Sequence, residues 1–414
     1  MRIDLQQSHA ALPASAALEV AVLLKAEPDA TTTTARAAAA DSVHAGLVLD
    51  RSGSMEGGSG VSGLTKLEAL KVAVQAALQL LEGCGATVTA AAFSDKARPL
   101  CHRLALAPRA AAGVAAAVEG LAAGGGTEAK AAMEPVLQAL LPHDHTARRL
   151  VLVTDGEFNG GSVKPCRKLA QQAGEHGVAL WVFGTGTSYN ETYLRELVDL
   201  GAPGGMLVHI TDLAALSQRL GDELRAVASA TASGLAVVVT PSPGVRVLEL
   251  TRLVPVQCAV ALRPDGTAED RMDVLDARGQ AWVARLRADG LAAGRHALAR
   301  WKVSHQENGQ HHVQAFETAL DVLPAGSAPS AANARVMTTV LSAHAAQATL
   351  LGNAALATQL YAAAGQTGLA QKLSALGTAL PSSSDAARAL RTEVLASTRL
   401  VALGSALPVK GGTP

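Results

Sequence analysis

The hydrophobic pattern of the chain changes character near residue 234. Before it, residues 43–49, 86–93, 150–154, 178–183 and 206–210 form short, nearly continuous apolar runs. Strands buried on both faces of a parallel sheet read this way. Between the runs the apolar positions adopt helical spacing, most clearly at Leu67, Leu70, Val74, Leu78 and Leu81 within 65–81, where Gly83 supplies a stop. Further helical patterns cover 109–119, 127–141, 163–176, 190–200 and 212–228, and 97–106 suits a short edge strand. This alternation predicts an α/β domain over 43–228 with a doubly wound, mostly parallel, Rossmann-like sheet covered by helices on both faces.

After residue 234 the runs shorten to 235–240, 245–251, 256–262, 271–276, 281–287, 295–304 and 311–322. Pro241, Pro243, Gly266, Gly279, Gly290 and Gly309 punctuate them, so an antiparallel β-sandwich is expected over 234–323. One further strand pattern, at 17–25, has no better partner than these later strands. The expectation is therefore a discontinuous β-domain, with the strand and linker of 1–42 at one end and the α/β domain inserted after it. Residues 1–15 read as loosely ordered, and the Thr- and Ala-rich stretch to Ala40 as a linker. Residues 324–330 read as a second linker, and 331–403 as a C-terminal helical segment, broken near 365–368 and resuming at 385–403. The tail after Pro408 reads as disordered.

Composition narrows the class. A chain of 414 residues exceeds one hydrophobic core, and with 49% hydrophobic but only 2% aromatic residues its interior must be packed through small side chains. Lys plus Arg equals Asp plus Glu at 35 each, with no basic cluster interleaved with aromatics, which argues against a nucleic-acid partner. No apolar run reaches the roughly 18 residues of a membrane span, and the start lacks the basic and apolar regions of a signal peptide. A cytoplasmic protein without a membrane partner is expected. Cys84, Cys101, Cys166 and Cys258 are widely spaced and read as small core residues, and His305, His311 and His312 as solvated strand histidines.

Candidate chemistry lies where the apolar runs end. The run closing at Leu49 passes into Asp50, Ser52 and Ser54 around a turn at Gly53. The run closing at Thr154 passes into Asp155, and the glycine turn 124–126 presents Thr127. Ligands of open α/β sheets bind at the carboxyl ends of strands, and two carboxylates with three hydroxyls, free of sulfur and imidazole, suit a hard divalent cation such as Mg²⁺. These five residues resemble the metal-ion-dependent adhesion site of von Willebrand factor type A domains, in which Asp-x-Ser-x-Ser is followed by a Thr and then by an Asp after a later strand. The resemblance covers about residues 43–228. Bacterial proteins of this class, with a strand before the domain and a β-rich module after it, look similar.

What the resemblance implies is a protein-interaction module and not an enzyme. Asp50, Ser52, Ser54, Thr127 and Asp155 would hold Mg²⁺, or Mn²⁺ or Ca²⁺, and a partner's Asp or Glu carboxylate would complete the coordination. Asp50 is expected at an exposed sheet edge. The alternative is a metal-dependent hydrolase with Glu56, Glu128 or Glu157 as base to an activated water. Other chemistries lack their signatures: Gly53 to Gly57 misplaces the serine of a nucleophile elbow, no Gly-x-x-x-x-Gly-Lys is present, and Ser52 stands where a phosphatase using Asp50 would want a second aspartate.

Overall fold

The structure is a computed structural model. It describes residues 1–28, 43–58, 63–83, 85–142, 147–155, 160–185, 191–202, 205–210, 232–254, 257–275, 279–307, 310–375 and 394. The Thr- and Ala-rich linker to Ala40, the 212–228 helix, the 385–403 helix, the tail after Pro408, Cys84 and Glu157 lie wholly or largely outside the described residues. The chain divides into two compact units, one of residues 1–29, 234–271 and 278–414, the other of 30–233 with 272–277.

The first unit begins with β1 (Arg2–Gln7), β2 (Ala11–Pro13) and β3 (Ala17–Glu27). Two of these strands correct the expectation of a loosely ordered start. β1 is polar and only partly buried, so no apolar run announces it; it is held by antiparallel pairing from Arg2↔Glu27 to Gln7↔Val22. β2 is three residues long and pairs in parallel with residues more than three hundred positions away, Asp321 to Leu323. Local sequence carries no trace of such a contact.

The second unit is built on β4 (Val43–Asp50), β5 (Thr87–Phe93), β6 (Ala97–Ala105), β7 (Ala147–Thr154), β8 (Ala179–Thr185) and β9 (Met206–Ile210). They form one sheet in the order β6-β5-β4-β7-β8-β9, parallel except where β6 runs antiparallel to β5 along the edge. Helices α1 (Lys66–Gly83), α2 (Pro108–Glu119), α3 (Lys130–Leu140), α4 (Gly160–Glu175) and α5 (Glu191–Leu200) connect them. Every residue of β4, β5 and β7 is buried, as expected for strands covered on both faces. Gly46 lets α3 approach β4: a Cβ there would lie 2.5 Å from Val136 Cγ1 and 2.8 Å from Leu140 Cδ1. Successive connections leave β4 for β5 on one side and return to β7 on the other. The strand order therefore reverses between β4 and β7, which places the binding crevice of a doubly wound sheet at their carboxyl ends.

Returning to the first unit, β10 (Ala232–Pro241), β11 (Val245–Val254), β12 (Cys258–Val260), β13 (Ala268–Leu275), β14 (Gln280–Asp289), β15 (Gly294–Glu307) and β16 (Gln310–Leu323) follow. Two five-stranded sheets result, in the orders β1-β3-β14-β11-β12 and β13-β10-β15-β16-β2. β3 is a central strand, pairing with β14 from Ala17↔Asp289 to Ala26↔Gln280. The helices α6 (Ala334–Leu350), α7 (Ala354–Ala363) and α8 (Thr367–Ala375) complete the description, with an additional break at 351–353 that periodicity did not show. Asn333 starts α6 by accepting from Arg335 N and Val336 N. Val336, Val340 and Ala343 of α6 then pack on Leu23, Leu253 and Val283 of the first sheet.

Two readings of side-chain environment are corrected. His305 is buried at 2% exposure and stacked on its cross-strand neighbour His312 with ring centroids 5.1 Å apart, so it is not a solvated strand histidine. Desolvation holds its imidazole below the ordinary histidine range. Cys258 is exposed on the short edge strand β12 and Cys101 is half-buried; of the described cysteines only Cys166 is a core residue. Among the described residues, no helix is long and apolar enough to cross a membrane.

Candidate functional site

β4 delivers Asp50 to the crevice and then turns sharply. Ser52 N donates to Asp50 Oδ1 at 2.8 Å, folding the chain back over the carboxylate, and a single 3₁₀ turn, Gly53–Glu56, follows. Met55 is fully buried beneath this turn and anchors it. The hydroxyls of Ser52 and Ser54 lie 3.1 Å apart, so Asp50, Ser52 and Ser54 converge as the alternate spacing suggested.

The glycine turn is docked against this loop through its backbone. Gly53 N donates to Gly125 O at 3.0 Å, and Gly124 N to Arg51 O at 2.9 Å. The loop after β5 holds the other side: Gly126 N donates to Asp95 Oδ1 at 2.9 Å and Glu128 N to Ser94 O at 2.7 Å. Gly125 has φ +83°, and a Cβ there would meet Asp95 Oδ2 at 2.4 Å, so glycine is required twice over. Thr127, buried at 6% exposure, is thereby carried to the same edge. It stands three residues ahead of α3, whose N-cap is Ala129 without a side-chain bond, so the Thr127 hydroxyl does not cap the helix.

β7 delivers Thr154 and Asp155. Thr154 Oγ1 donates to Asp50 Oδ2 at 2.6 Å, tying the ends of the two central strands together. Asp155 is 3% exposed, and its Oδ2 accepts from Lys66 Nζ at 2.8 Å. Its other oxygen, Oδ1, is buried and has no hydrogen-bond partner among the described residues. A buried carboxylate oxygen left in that state costs free energy.

Asp50 itself is completely buried, which corrects the expectation of an exposed sheet edge. Burial pushes its carboxyl up to about 6; hydrogen bonds from Ser52 and Thr154 oppose this and the negative charge of Asp155 adds to it. Two carboxylates that repel one another and two hydroxyls in contact are an oxygen-only donor set. The arrangement fits a hard cation, which would relieve the repulsion and engage the orphaned oxygen. Among the described residues no three His, Cys, Asp or Glu side chains cluster to hold a metal, so a softer, nitrogen- or sulfur-based centre finds no counterpart.

Three contributors escaped the sequence reading. Thr154 was read only as the end of a strand, and Asp95 was not singled out. Lys66 carried a usable signal, because Thr65 and Glu68 have the spacing of a capping box, which fixes Lys66 as the first residue of α1.

Residues 46–157 match the family model of the von Willebrand factor type A domain. The fold is shared with a von Willebrand factor type A protein from Catenulispora acidiphila, at TM-score 0.69 and 16% identity over 95% of this chain and 96% of that one. It is shared also with the ArnB paralog VWA2 from Sulfolobus acidocaldarius, at TM-score 0.55 and 15% identity over 97% of this chain and 98% of that one. No curated protein matches by sequence. Motif, topology and family model coincide on the same strand ends, and the chain carries a von Willebrand factor type A domain.

Proposed function

We propose that this domain binds a divalent cation, Mg²⁺ in the first instance and Mn²⁺ or Ca²⁺ in its place, and uses it to capture an acidic side chain of a protein partner. Asp50, Ser52, Ser54, Thr127 and Asp155 would hold the cation, directly or through water. The observation that carries the reading is Asp155 Oδ1, buried without a partner beside a second buried carboxylate. When bound, the cation supplies a Lewis-acidic position to which a partner's Asp or Glu oxygen can add.

The protein's own residues prepare that position. Thr154 and the Ser52 amide take both oxygens of Asp50 and fix its plane. The backbone donors of Gly53, Gly124, Gly126 and Glu128 hold the loop after β4, the glycine turn and the loop after β5 in register before any ligand arrives. Neutral hydroxyls contribute little negative charge, so the cation keeps its attraction for an anion. The role is binding and not turnover.

Calorimetric titration of the full chain with Mn²⁺ tests this. Saturable uptake near one ion per chain is expected, with loss of uptake in Asp50→Asn and Asp155→Asn. Equal uptake by wild type and both variants would overturn the proposal, and Mn²⁺-dependent cleavage of a simple ester or phosphoester would move the hydrolase reading ahead.

A further inference from the structure

Lys66 lies in the first turn of α1, where a positive charge works against the helix dipole. Nothing local compels it to be there. The helix start is already satisfied by Thr65 and Glu68: Thr65 N donates to Glu68 Oε2 at 2.7 Å, and Glu68 N to Thr65 Oγ1 at 3.2 Å. The backbone of Lys66 is also pinned, since Lys66 N donates to Gly57 O at 2.8 Å and Gly58 bridges Thr65. From this fixed start the side chain reaches Asp155, with only 13% of it exposed.

The contact divides the Asp155 carboxylate into two unlike oxygens. Oδ2 is occupied by the ammonium group, and Oδ1 is left buried and, among the described residues, unpartnered. Because a carboxylate is planar, holding one oxygen sets the direction of the other. The charges add in a definite way. Asp50 and Asp155 with Lys66 sum to −1, and a divalent cation brings the centre to +1; without Lys66 the loaded centre would be neutral. At this burial, salt screens the difference only weakly.

We infer that Lys66 is a positioning residue that weakens the cation's hold in order to strengthen the partner's: it aims Asp155 Oδ1 into the crevice and leaves the loaded centre with a net positive charge for an incoming carboxylate. This rests on the metal-and-carboxylate reading above. Removing Lys66 then has two effects of opposite sign. Loss of one hydrogen bond loosens Asp155, but loss of a repelling charge next to the cation outweighs it, because a close charge–charge term exceeds the net worth of a single hydrogen bond. A purely structural ion pair would instead weaken both binding events together.

The experiment uses the full chain as wild type, Lys66→Met, Lys66→Gln and Lys66→Arg. Mn²⁺ alone is titrated by calorimetry, and acetate is then titrated into each Mn²⁺-loaded protein while water-proton relaxation reports displacement of metal-bound water. Lys66→Met should bind Mn²⁺ about threefold to tenfold more tightly and acetate at least about threefold more weakly, as expected for removing one nearby charge. Lys66→Arg should stay near wild type in both, and Lys66→Gln should follow Met, which keeps the test standing if the Met variant does not fold. Mn²⁺ affinity that is unchanged or lower in Met and Gln overturns the role of Lys66 alone. Absence of Mn²⁺ uptake by wild type overturns the parent reading.

Discussion

Asp155 in the α/β unit and Asp270 in the β-rich unit are both sequestered carboxylates facing a cationic side chain, yet their bonding differs. Asp270 accepts from Arg252 through both oxygens, at 3.1 and 3.2 Å, and its Oδ2 also accepts from the Trp282 indole at 2.7 Å. Its acceptor capacity is used. Asp155 has one oxygen on Lys66 and one without a partner among the described residues. The first carboxylate, on β13 of one sheet, ties it to β11 and β14 of the other. The second is held but unfinished, and what distinguishes a binding group from a structural one here is the unused oxygen, since both sites contain a buried charge.

The largest expected effect separates the two sites by truncation. Arg252→Ala strands Asp270 as an uncompensated charge and should destabilise the protein by about 3–5 kcal/mol. Asp155→Asn keeps an amide oxygen for the Lys66 ammonium group and removes the charge that repels Asp50, so it should cost less, about 1–2 kcal/mol, in chelator. Urea unfolding of both variants in EDTA measures this, and comparable losses would erase the contrast.

Next in size is a pH effect confined to the oxygen-rich site. Asp50 binds its proton more tightly folded, at about 6, than unfolded near 3.8. Its contribution is therefore fully present below about pH 4 and is lost as pH rises through about 6. Metal-free wild type should lose about 3 kcal/mol across that window, and Asp50→Asn should not. Superimposable pH profiles for the two would remove Asp50 as the source.

Ligand addition should discriminate in the same direction. Mg²⁺ at about a hundred times its dissociation constant should stabilise wild type by about 2.7 kcal/mol; EDTA should reverse the gain and Asp50→Asn should lack it. Thermal unfolding of wild type that ignores both Mg²⁺ and EDTA would count against the centre. The smallest effect belongs to Ser54, which is exposed where Ser52 is buried. Ser54→Ala should weaken Mn²⁺ uptake by only a few-fold, as water replaces a neutral ligand, whereas Ser52→Ala also perturbs the packing against Asp50 and should cost more. Equal losses would show that burial of the hydroxyl is irrelevant.

Much of the α/β unit was legible because its strands are continuous apolar runs and its connections carry helical periodicity, so local pattern and final element coincide. Asp50, Ser52, Ser54, Thr127 and Asp155 could be nominated as a set because each sits at the end of such a run or in a glycine turn. β1 and β2 were illegible for the converse reason. They are polar or very short, and their existence depends on partners at Val22–Glu27 and Asp321–Leu323. His305 was misread because its burial is set by the cross-strand partner and not by its neighbours in sequence.

By itself, then, the sequence determined the class of the central domain, the order of its elements and the donor types at its strand ends, all properties that periodicity and turn chemistry encode locally. Only the tertiary structure decided that Asp50 is wholly buried, that Thr154 bonds it and that Thr127 is spared from capping. Only it showed that Lys66, eighty-nine positions from Asp155, takes one oxygen and leaves the other. Those outcomes follow from which strands become neighbours, and strand order is a property of the whole sheet.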